Sequence, residues 1–220
     1  MAIDLKAKAV IFDCDGVLVD SEKHSCYALN VLFERLFGVD IGTDYSQVLG
    51  KSVKDGFQYY LSKHELTYDG NMEVLYREKE QVYQDLVRGS LQAFPGVVDL
   101  IESLLSRGTL VAVGSSGSHE KIAFSLSQAC LDSYFEVVVS SADVPRGKPF
   151  PDLFLRSSDL LGVDPSHCAV IEDSVSGVQA AKAAGMMAVG VTNSFPRAVL
   201  EEAGADIVVG SLEEFLPLSL

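Results

Sequence analysis

The feature that most constrains this fold is an apolar run, Ala9 to Phe12, that ends in Asp13-Cys14-Asp15-Gly16. A short apolar run that stops at a turn signal is typical of a strand buried inside a parallel sheet. Because side chains alternate along a strand, the two aspartates should point to one face and Cys14 to the other. Glycine allows a sharp turn here, and open α/β sheets bind ligands at the carboxyl ends of their strands. The run therefore predicts a site with two carboxylates, and a helix cap or Asx turn is the simpler alternative.

The composition narrows the class of protein and its surroundings. The chain has 220 residues, 48% of them hydrophobic, which suits one large domain or a domain with an inserted module. No apolar run approaches the roughly 20 residues that span a bilayer. Residues 1–8 show no signal-peptide pattern, so we expect a cytoplasmic protein. The formal net charge of -14 argues against a nucleic-acid partner, whereas a small anionic substrate needs only a local cluster of cations.

The cysteines give no sign of a metal site or of disulfide bonds. Cys14, Cys26, Cys130 and Cys168 are widely scattered and form no CxxC pair. This spacing indicates neither a zinc site nor a disulfide framework. We expect each of them to be a buried thiol, with Cys14 facing the core.

Hydrophobic periodicity divides the chain into two kinds of structure. Between about 22 and 88 the pattern is helical, with one predicted helix ending at Gly38, one running through Phe57 and one over Met72 to Val87. From Leu91 onward strands alternate with helices, which indicates βαβ units and a parallel sheet with helices on both faces. The strands predicted in this part are Leu110–Gly114, Phe135–Val139, Ala169–Ile171, Ala188–Val191 and Ile207–Val209. We therefore predict an α/β core domain from residues 1–19 and 91–220, interrupted by a helical domain at 20–90.

Four polar clusters follow predicted strands, and parallel strands would bring them to one edge of the sheet. They are Asp13 with Asp15, Ser115 with Ser116, Lys148, and Glu172 with Asp173. Two carboxylates about 4 Å apart repel each other by about 4 kcal/mol at an effective dielectric constant of about 20. Lys148 alone does not balance such a cluster, so we predict a divalent cation beside it. The ligands would all be oxygen atoms, which favours Mg²⁺ over zinc.

A metal ion, an ammonium group and a hydroxyl that converge on a carboxylate describe a site for a phosphoryl group. Lys148 would neutralise the phosphoryl oxygens, and Ser115 would donate a hydrogen bond to them. Asp13 is then placed to attack phosphorus and form an aspartyl phosphate. Asp15 would protonate the leaving oxygen and later deprotonate water. Each cluster also has a simpler interpretation, namely a solvated loop lysine at Lys148 and helix starts at the serines and at Glu172.

The chain resembles the haloacid dehalogenase superfamily of phosphotransferases over its whole length. Four motifs in the order of that family carry the resemblance: Asp13 to Ser21 (DCDGVLVDS), Ser115 in VAVGSSG, Lys148 in RGKPFPD, and Glu172-Asp173-Ser174 with Gly177. The chain is similar in particular to the β-phosphoglucomutase-like and sugar-phosphatase branch. That resemblance implies a Rossmann-like parallel sheet with an inserted α-helical cap.

The same resemblance implies a role for each motif residue. Asp13 would be the nucleophile, and Asp15 would be the acid and base. Mg²⁺ would be bound by Asp13, by Asp173 and by the backbone carbonyl of Asp15, while Glu172 would support a metal-bound water.

The branch contains both phosphatases and mutases, and residues of the predicted cap separate them. Mutases carry Gly-x-Ser-Arg in the cap, whereas this chain has Gly50-Lys51-Ser52-Val53-Lys54, with valine at the arginine position. Mutases also carry a histidine where this chain has Ser25, and His24 is one place off. Lys51, Lys54 and His24 are candidate substrate contacts, and a solvated helix surface is the alternative interpretation of them.

We therefore predict a Mg²⁺-dependent phosphatase, working as a monomer on a small phosphorylated metabolite such as a sugar or polyol phosphate. A β-phosphoglucomutase-like phosphosugar mutase is the alternative. A phosphoryl switch of the receiver type is a third hypothesis, which the early position of the aspartate and the helical insertion disfavour. We expect the helical domain to close over the site and exclude water, with hinges near residues 19–21 and 89–94.

Overall fold

The computed structural model describes residues 5–48 and 52–216. The strands are β1 (Ala9–Phe12), β2 (Leu110–Ser115), β3 (Val137–Ser140), β4 (Cys168–Glu172), β5 (Met187–Val191) and β6 (Ile207–Val209). They form one parallel sheet in the order β3-β2-β1-β4-β5-β6. The strand order reverses between β1 and β4, which opens a crevice at their carboxyl ends, where such sheets bind ligands. The predicted α/β fold with a Rossmann-like parallel sheet is confirmed.

Helices cover both faces of the sheet. The α-helices are α1 (Glu22–Phe37), α2 (Val53–Lys63), α3 (Met72–Val87), α4 (Val97–Ser106), α5 (His119–Gln128), α6 (Asp152–Leu161), α7 (Val175–Ala183) and α8 (Arg197–Glu202). Helices α4 and α5 pack on one face, and α6, α7 and α8 pack on the other. In β1, Val10 and Phe12 join the first group while Ala9 and Ile11 join the second. All four side chains are buried, which explains why the run is apolar without a break.

Helices α1, α2 and α3 enclose an apolar cluster of their own. The centroid of the Phe33 ring lies 4.9 Å from that of Phe57 and 5.9 Å from that of Tyr60. Gly38 ends α1, as predicted, in the left-handed conformation that glycine adopts at little cost. The insertion therefore has an apolar cluster of its own, while Ala28, Tyr83 and Val87 join the cluster on one face of the sheet.

Two neighbouring segments join this helical group to the sheet. The amide of Phe94 donates to the carbonyl of Leu18 at 3.0 Å, so the outgoing and returning chains lie side by side. Helix α3 also contacts α5, where Tyr83 Oη and Ser125 Oγ are 2.8 Å apart. The division into a core domain (1–19 and 91–220) and a cap domain (20–90) stays a prediction, consistent with these two attachments.

Two elements differ from the sequence prediction. Strand β3 begins at Val137 rather than Phe135, because residues 132–134 form a 3-10 turn and Phe135 follows it directly. Helix α8 was not anticipated at all. It has six residues and buries only Leu200, so it is too short to produce a visible periodicity.

The expectation that every cysteine is buried was wrong for one of the four. Cys14, Cys26 and Cys168 are buried, but Cys130 is exposed. Cys130 has a φ of 57° in the turn after α5, which carries its side chain out of the core. Within the described residues no helix combines the length and apolarity that a bilayer crossing needs. The cytoplasmic location stays a prediction.

Candidate active site

Lys148 joins two of the predicted clusters at the carboxyl end of the sheet. Its Nζ lies 2.6 Å from Asp13 Oδ1 and 2.5 Å from Glu172 Oε1. Asp13 follows β1 directly, and its amide donates to the carbonyl of Ile171 in β4 at 2.9 Å. The paired strands therefore hold the two acids side by side, and all three charged side chains are buried.

Asp13, Glu172 and Asp173 together form a group that could hold a metal ion. Each offers one carboxylate oxygen, and the three oxygens lie within 4.8 Å of one another. Two glycines leave the space for these side chains. A Cβ on Gly16 would lie 1.9 Å from Asp173 Oδ2, and a Cβ on Gly177 would lie 1.8 Å from Glu172 Cδ.

The charge of this group also suits a cation. When all three carboxyl groups are ionised, the Lys148 ammonium, which pairs with Asp13 and Glu172, offsets one of their three negative charges. Burying uncompensated charge is costly, and oxygen donors are the ligands that hard divalent cations take. The residues present therefore fit the divalent cation that the sequence predicted.

Glu172 also has the simpler role that the sequence allowed, at the start of a helix. Its Oε2 accepts hydrogen bonds from the Asp173 and Ser174 amides, at 3.1 Å each, and from Ser174 Oγ at 2.9 Å. Ser174 in turn caps α7 by accepting from the Gly177 amide. The turn thus fixes one oxygen of Glu172 and leaves the other, Oε1, on Lys148.

Asp15 has a cation of its own, which the sequence prediction missed. The Nζ of Lys121 in α5 lies 2.5 Å from Asp15 Oδ2, and the hydroxyl of Ser21 donates to the other carboxylate oxygen. Burial alone would raise the pKa of Asp15, but the charge and hydrogen bond of Lys121 outweigh burial and lower it. The prediction from sequence named Lys148 as the lysine of the cluster and did not include Lys121. Lys121 compensates Asp15, and Lys148 compensates Asp13 and Glu172.

The pKa of Asp13 moves in the opposite direction. Burial raises it to about 8, and the charge of Glu172 adds to this rise, while Lys148 opposes it. Burial by itself would lower the pKa of Lys148, but its two carboxylate partners raise it, so the ammonium group keeps its proton. In the absence of a metal ion, the carboxyl group of Asp13 is therefore mostly protonated at neutral pH.

The two predicted serines lie beside the aspartates. Ser115 is the last residue of β2 and is buried, and its Oγ accepts from the Gly117 amide at 3.1 Å. The helix cap that the sequence allowed for these serines is instead supplied by Ser118, which accepts from the Lys121 amide. Neither Ser115 nor Ser116 is therefore the N-cap of α5.

A small cavity, here called the chamber, lies between the sheet edge and the helical group. Its lining includes Asp13, Asp15, Ser115 and Ser116 on one side, and Ser25, Ser52, Val53 and Lys79 on the other. Its volume is about 60 Å³, which is room for a few water molecules. The chamber therefore brings the predicted catalytic residues and residues of the helical insertion to one small cavity.

The predicted contacts from the helical insertion have different outcomes. Lys54 is exposed and lines a larger groove that adjoins the chamber. His24 is exposed and lines a different cavity with Asp20 and Pro95, so the structure does not place it with the aspartates. Lys51 lies outside the described residues.

Two residues of α3 that were not predicted lie at the site. Lys79 is buried, and its Nζ donates to Ser25 Oγ at 2.6 Å and lies 3.3 Å from Glu80 Oε1. The sequence contained a signal for Lys79, because a charged residue at this position interrupts the apolar face of an amphipathic helix. Helix α3 buries Leu75, Lys79 and Tyr83, a spacing of four residues that puts a lysine on the packed side.

Comparisons with known proteins agree with this geometry. Residues 10–191 match the family described as haloacid dehalogenase-like hydrolase. The chain is 34% identical, over 92% of its length, to the chloroplastic protein Suppressor of Quenching 1 of Arabidopsis thaliana, but spans only 19% of that protein. It is 31% identical to the phosphorylated carbohydrates phosphatase of Thermotoga maritima, covering 92% of this chain and 94% of that one. It is also 31% identical to the β-phosphoglucomutase of Bacillus subtilis, covering 92% and 88%.

A solved structure extends the similarity to three dimensions. The crystal structure of a hydrolase from Pseudomonas syringae has a TM-score of 0.85 to this chain, at 26% identity, and covers 94% of this chain and 95% of the other. The sheet order, the shared motifs and the family match all lead to one assignment. The chain belongs to the haloacid dehalogenase-like hydrolase family.

Proposed function

We propose that this protein is a Mg²⁺-dependent phosphatase that hydrolyses a small phosphorylated metabolite through an aspartyl phosphate on Asp13. The observation that carries this proposal is the chamber. It is lined by one carboxylate bonded to an ammonium group, by a second carboxylate two residues further on, and by a hydroxyl at the end of the neighbouring strand. Those groups are the nucleophile, the acid and base, and the phosphate ligands that phosphoryl transfer requires.

The residues of the site divide the reaction between them. Lys148 and Ser115 bind the phosphoryl oxygens, and Asp13 attacks phosphorus as the leaving oxygen departs. Mg²⁺, bound by Asp13, Asp173 and the Asp15 backbone carbonyl with Glu172 beside it, would neutralise charge on the phosphoryl group. In the second step a water molecule attacks the aspartyl phosphate and releases inorganic phosphate.

Asp15 moves the protons in both steps. Lys121 and Ser21 hold it as a carboxylate, which is the state that deprotonates water in the second step. A dianionic phosphate beside it favours protonation, because a like charge raises the pKa of a carboxyl group. Asp15 therefore takes up the proton that it delivers to the leaving oxygen in the first step.

The choice of phosphatase over mutase depends on the helical insertion. Val53 stands where the mutases have an arginine for a second phosphate, and it lines the chamber with no charge. The Thermotoga relative, named as a phosphatase of phosphorylated carbohydrates, supports the same choice and supports a sugar or polyol phosphate as substrate. The second candidate, a phosphosugar mutase, is supported by the name of the Bacillus relative. We further propose that the enzyme acts as a cytoplasmic monomer with no nucleic-acid partner.

The test is phosphate release from a panel of sugar and polyol phosphates, with Mg²⁺ and with a chelator. We expect release that needs Mg²⁺ and that is lost in Asp13→Asn. Activity that survives either treatment would contradict the mechanism. For the mutase, NMR of β-glucose 1-phosphate with a bisphosphate primer would show isomerisation without net release of phosphate.

A further inference from the structure

A groove of about 510 Å³ adjoins the chamber and shares Ser52, Val53 and Ser116 with its lining. Helices α2 and α3 form one side of the groove, and the loops after β2 and β3 form the other. Lys148 also lines it, so the groove reaches the phosphate-binding end of the proposed site. The part of a substrate that does not fit the chamber would therefore lie in this groove.

Glu80 is the buried charge on the helical side of the groove. Only 8% of the residue is exposed. Its Oε1 lies 3.3 Å from Lys79 Nζ, but its Oε2 is buried and accepts no hydrogen bond from any residue in 5–48 or 52–216. A buried carboxylate oxygen without a donor costs free energy, and the proposed mechanism gives Glu80 no task. We therefore expect a bound ligand to donate a hydrogen bond to Glu80 Oε2.

The other charges at the groove decide which ligand fits. Lys54 and Asp55 are both exposed and carry opposite charges, while the Lys148 ammonium is already paired with Asp13 and Glu172. Exposed charges are screened by water, and Lys79 pairs with one oxygen of Glu80, so Oε2 is the buried polar atom that a ligand has to satisfy. Val53 in the shared wall is neutral. A second phosphate or a carboxylate in the groove would thus meet the uncompensated oxygen of Glu80, while a hydroxyl would donate to it.

We propose that Glu80 is a specificity-determining residue that accepts a hydrogen bond from a hydroxyl of the leaving group. Lys79, itself bonded to Ser25, orients the carboxylate from its other oxygen. The substrates are then monophosphates of neutral polyols or sugars, and bisphosphates are rejected. This inference rests on the proposed phosphatase activity and adds the chemical class of its leaving group.

The test compares Glu80→Gln and Glu80→Met with Glu78→Gln, a control on the same helix whose side chain pairs with Arg35 at the surface. The substrates are sorbitol 6-phosphate, glycerol 3-phosphate, fructose 1,6-bisphosphate, and p-nitrophenyl phosphate, whose leaving group has no second hydroxyl. For the better polyol monophosphate, we expect kcat/KM to fall about 10-fold in Glu80→Gln and about 30-fold in Glu80→Met. Turnover of p-nitrophenyl phosphate should change less than about threefold in both variants, and all substrates should be unaffected in Glu78→Gln.

The outcomes separate this inference from the function on which it rests. If the wild-type protein releases phosphate from none of these substrates with Mg²⁺, the proposed phosphatase fails, and this inference with it. If it does release phosphate but the Glu80 variants lose polyol and aryl substrates equally, or the bisphosphate is the best substrate, only the inference is overturned. Thermal melts show whether each variant is folded. If Glu80→Met does not fold, Glu80→Gln carries the test, because it keeps the shape of the side chain.

Discussion

Lys148 is the residue on which the acidic cluster depends, because it touches both Asp13 and Glu172 and is itself buried. We predict that Lys148→Met lowers phosphate release about 10²- to 10³-fold, because one charge that stabilises the transition state is lost. The metal-free variant should also unfold more easily, by about 3–5 kcal/mol, because the carboxylates lose their counter-charge. Assays of phosphate release and denaturant melts would measure both effects.

A surface pair provides the control for this substitution. Lys182 pairs with Asp206 at 2.7 Å, and both side chains are 40% exposed. Lys182→Met should change the free energy of unfolding by about 1 kcal/mol or less. Equal destabilisation by Lys148→Met and Lys182→Met would mean that the buried ion pairs of Lys148 stabilise the protein no more than an exposed pair does.

The raised pKa of Asp13 predicts that metal binding depends on pH. With a pKa of about 8, the carboxyl group of the metal-free protein is mostly protonated at pH 7. Metal binding needs the carboxylate, so Mg²⁺ should displace about one proton at pH 7. Raising the pH removes the competing proton, so affinity for Mg²⁺ should rise up to about pH 8 and then level off.

Calorimetry in two buffers of different ionisation enthalpy would count the protons released. Asp13→Asn is the control, since it should bind Mg²⁺ more weakly and release no proton at this site. An affinity that stays flat between pH 6 and pH 8 would show that burial does not protonate the cluster.

Among the elements, α7 is tied most closely to the metal site, because its first turn leaves a space that Glu172 fills. We predict that Gly177→Ala disrupts this site, since the added Cβ would lie 1.8 Å from Glu172 Cδ. Affinity for Mg²⁺ should fall, and calorimetry would measure it. Gly56→Ala in α2 is the control, because the nearest atom to its Cβ is 3.6 Å away. It should be tolerated, because alanine favours a helix more than glycine does.

Helix α3 is anchored to α5 through the hydroxyls of Tyr83 and Ser125. Both residues are buried, so removing one hydroxyl leaves the other without its hydrogen-bond partner. We predict that Ser125→Ala and Tyr83→Phe each destabilise the protein by about 1–3 kcal/mol. The double variant should lower the free energy of unfolding little more than either single variant, because no buried hydroxyl is then left without a partner. Urea unfolding would measure this cycle, and fully additive losses would mean that the contact contributes nothing.

At the scale of the whole molecule, the small chamber predicts movement of the helical group. A volume of about 60 Å³ holds a few water molecules but not a phosphorylated metabolite. We therefore predict that α1–α3 move relative to the sheet when substrate binds, and that the chain hinges near the paired segments at Leu18 and Phe94. Mg²⁺ with beryllium fluoride, a phosphoryl analogue, should favour the closed arrangement.

Small-angle scattering and hydrogen exchange would test this movement. We expect a smaller radius of gyration, and slower exchange in the segments that line the chamber, when the analogue is bound. Asp13→Asn should show neither change, because it lacks the carboxylate that the analogue binds. Identical scattering and exchange with and without the analogue in the wild-type protein would rule out closure.

The core of the site follows largely from local sequence, because Asp13, Ser115 and Glu172 sit at or next to the end of a strand, and Lys148 lies in the loop after β3. Residues 9–12 are apolar since both faces of β1 are covered, and that run alone indicates a central strand ending at Asp13. Parallel pairing then brings Lys148 and Glu172 to the same edge whatever their separation along the chain. Strand ends and turns are short-range features, so the fold and these residues could be predicted without coordinates.

Contacts made across helices could not be predicted in this way. Lys121 compensates Asp15 from 106 positions away, and Glu80 faces the groove from an insertion whose docking on the sheet no local pattern specifies. The sequence by itself determined a parallel sheet with an acidic site at its carboxyl edge, since strand propensity and turn chemistry act over a few residues. Only the tertiary structure decided which cation balances each carboxylate and which side chains enclose the site, because packing between distant helices selects those partners.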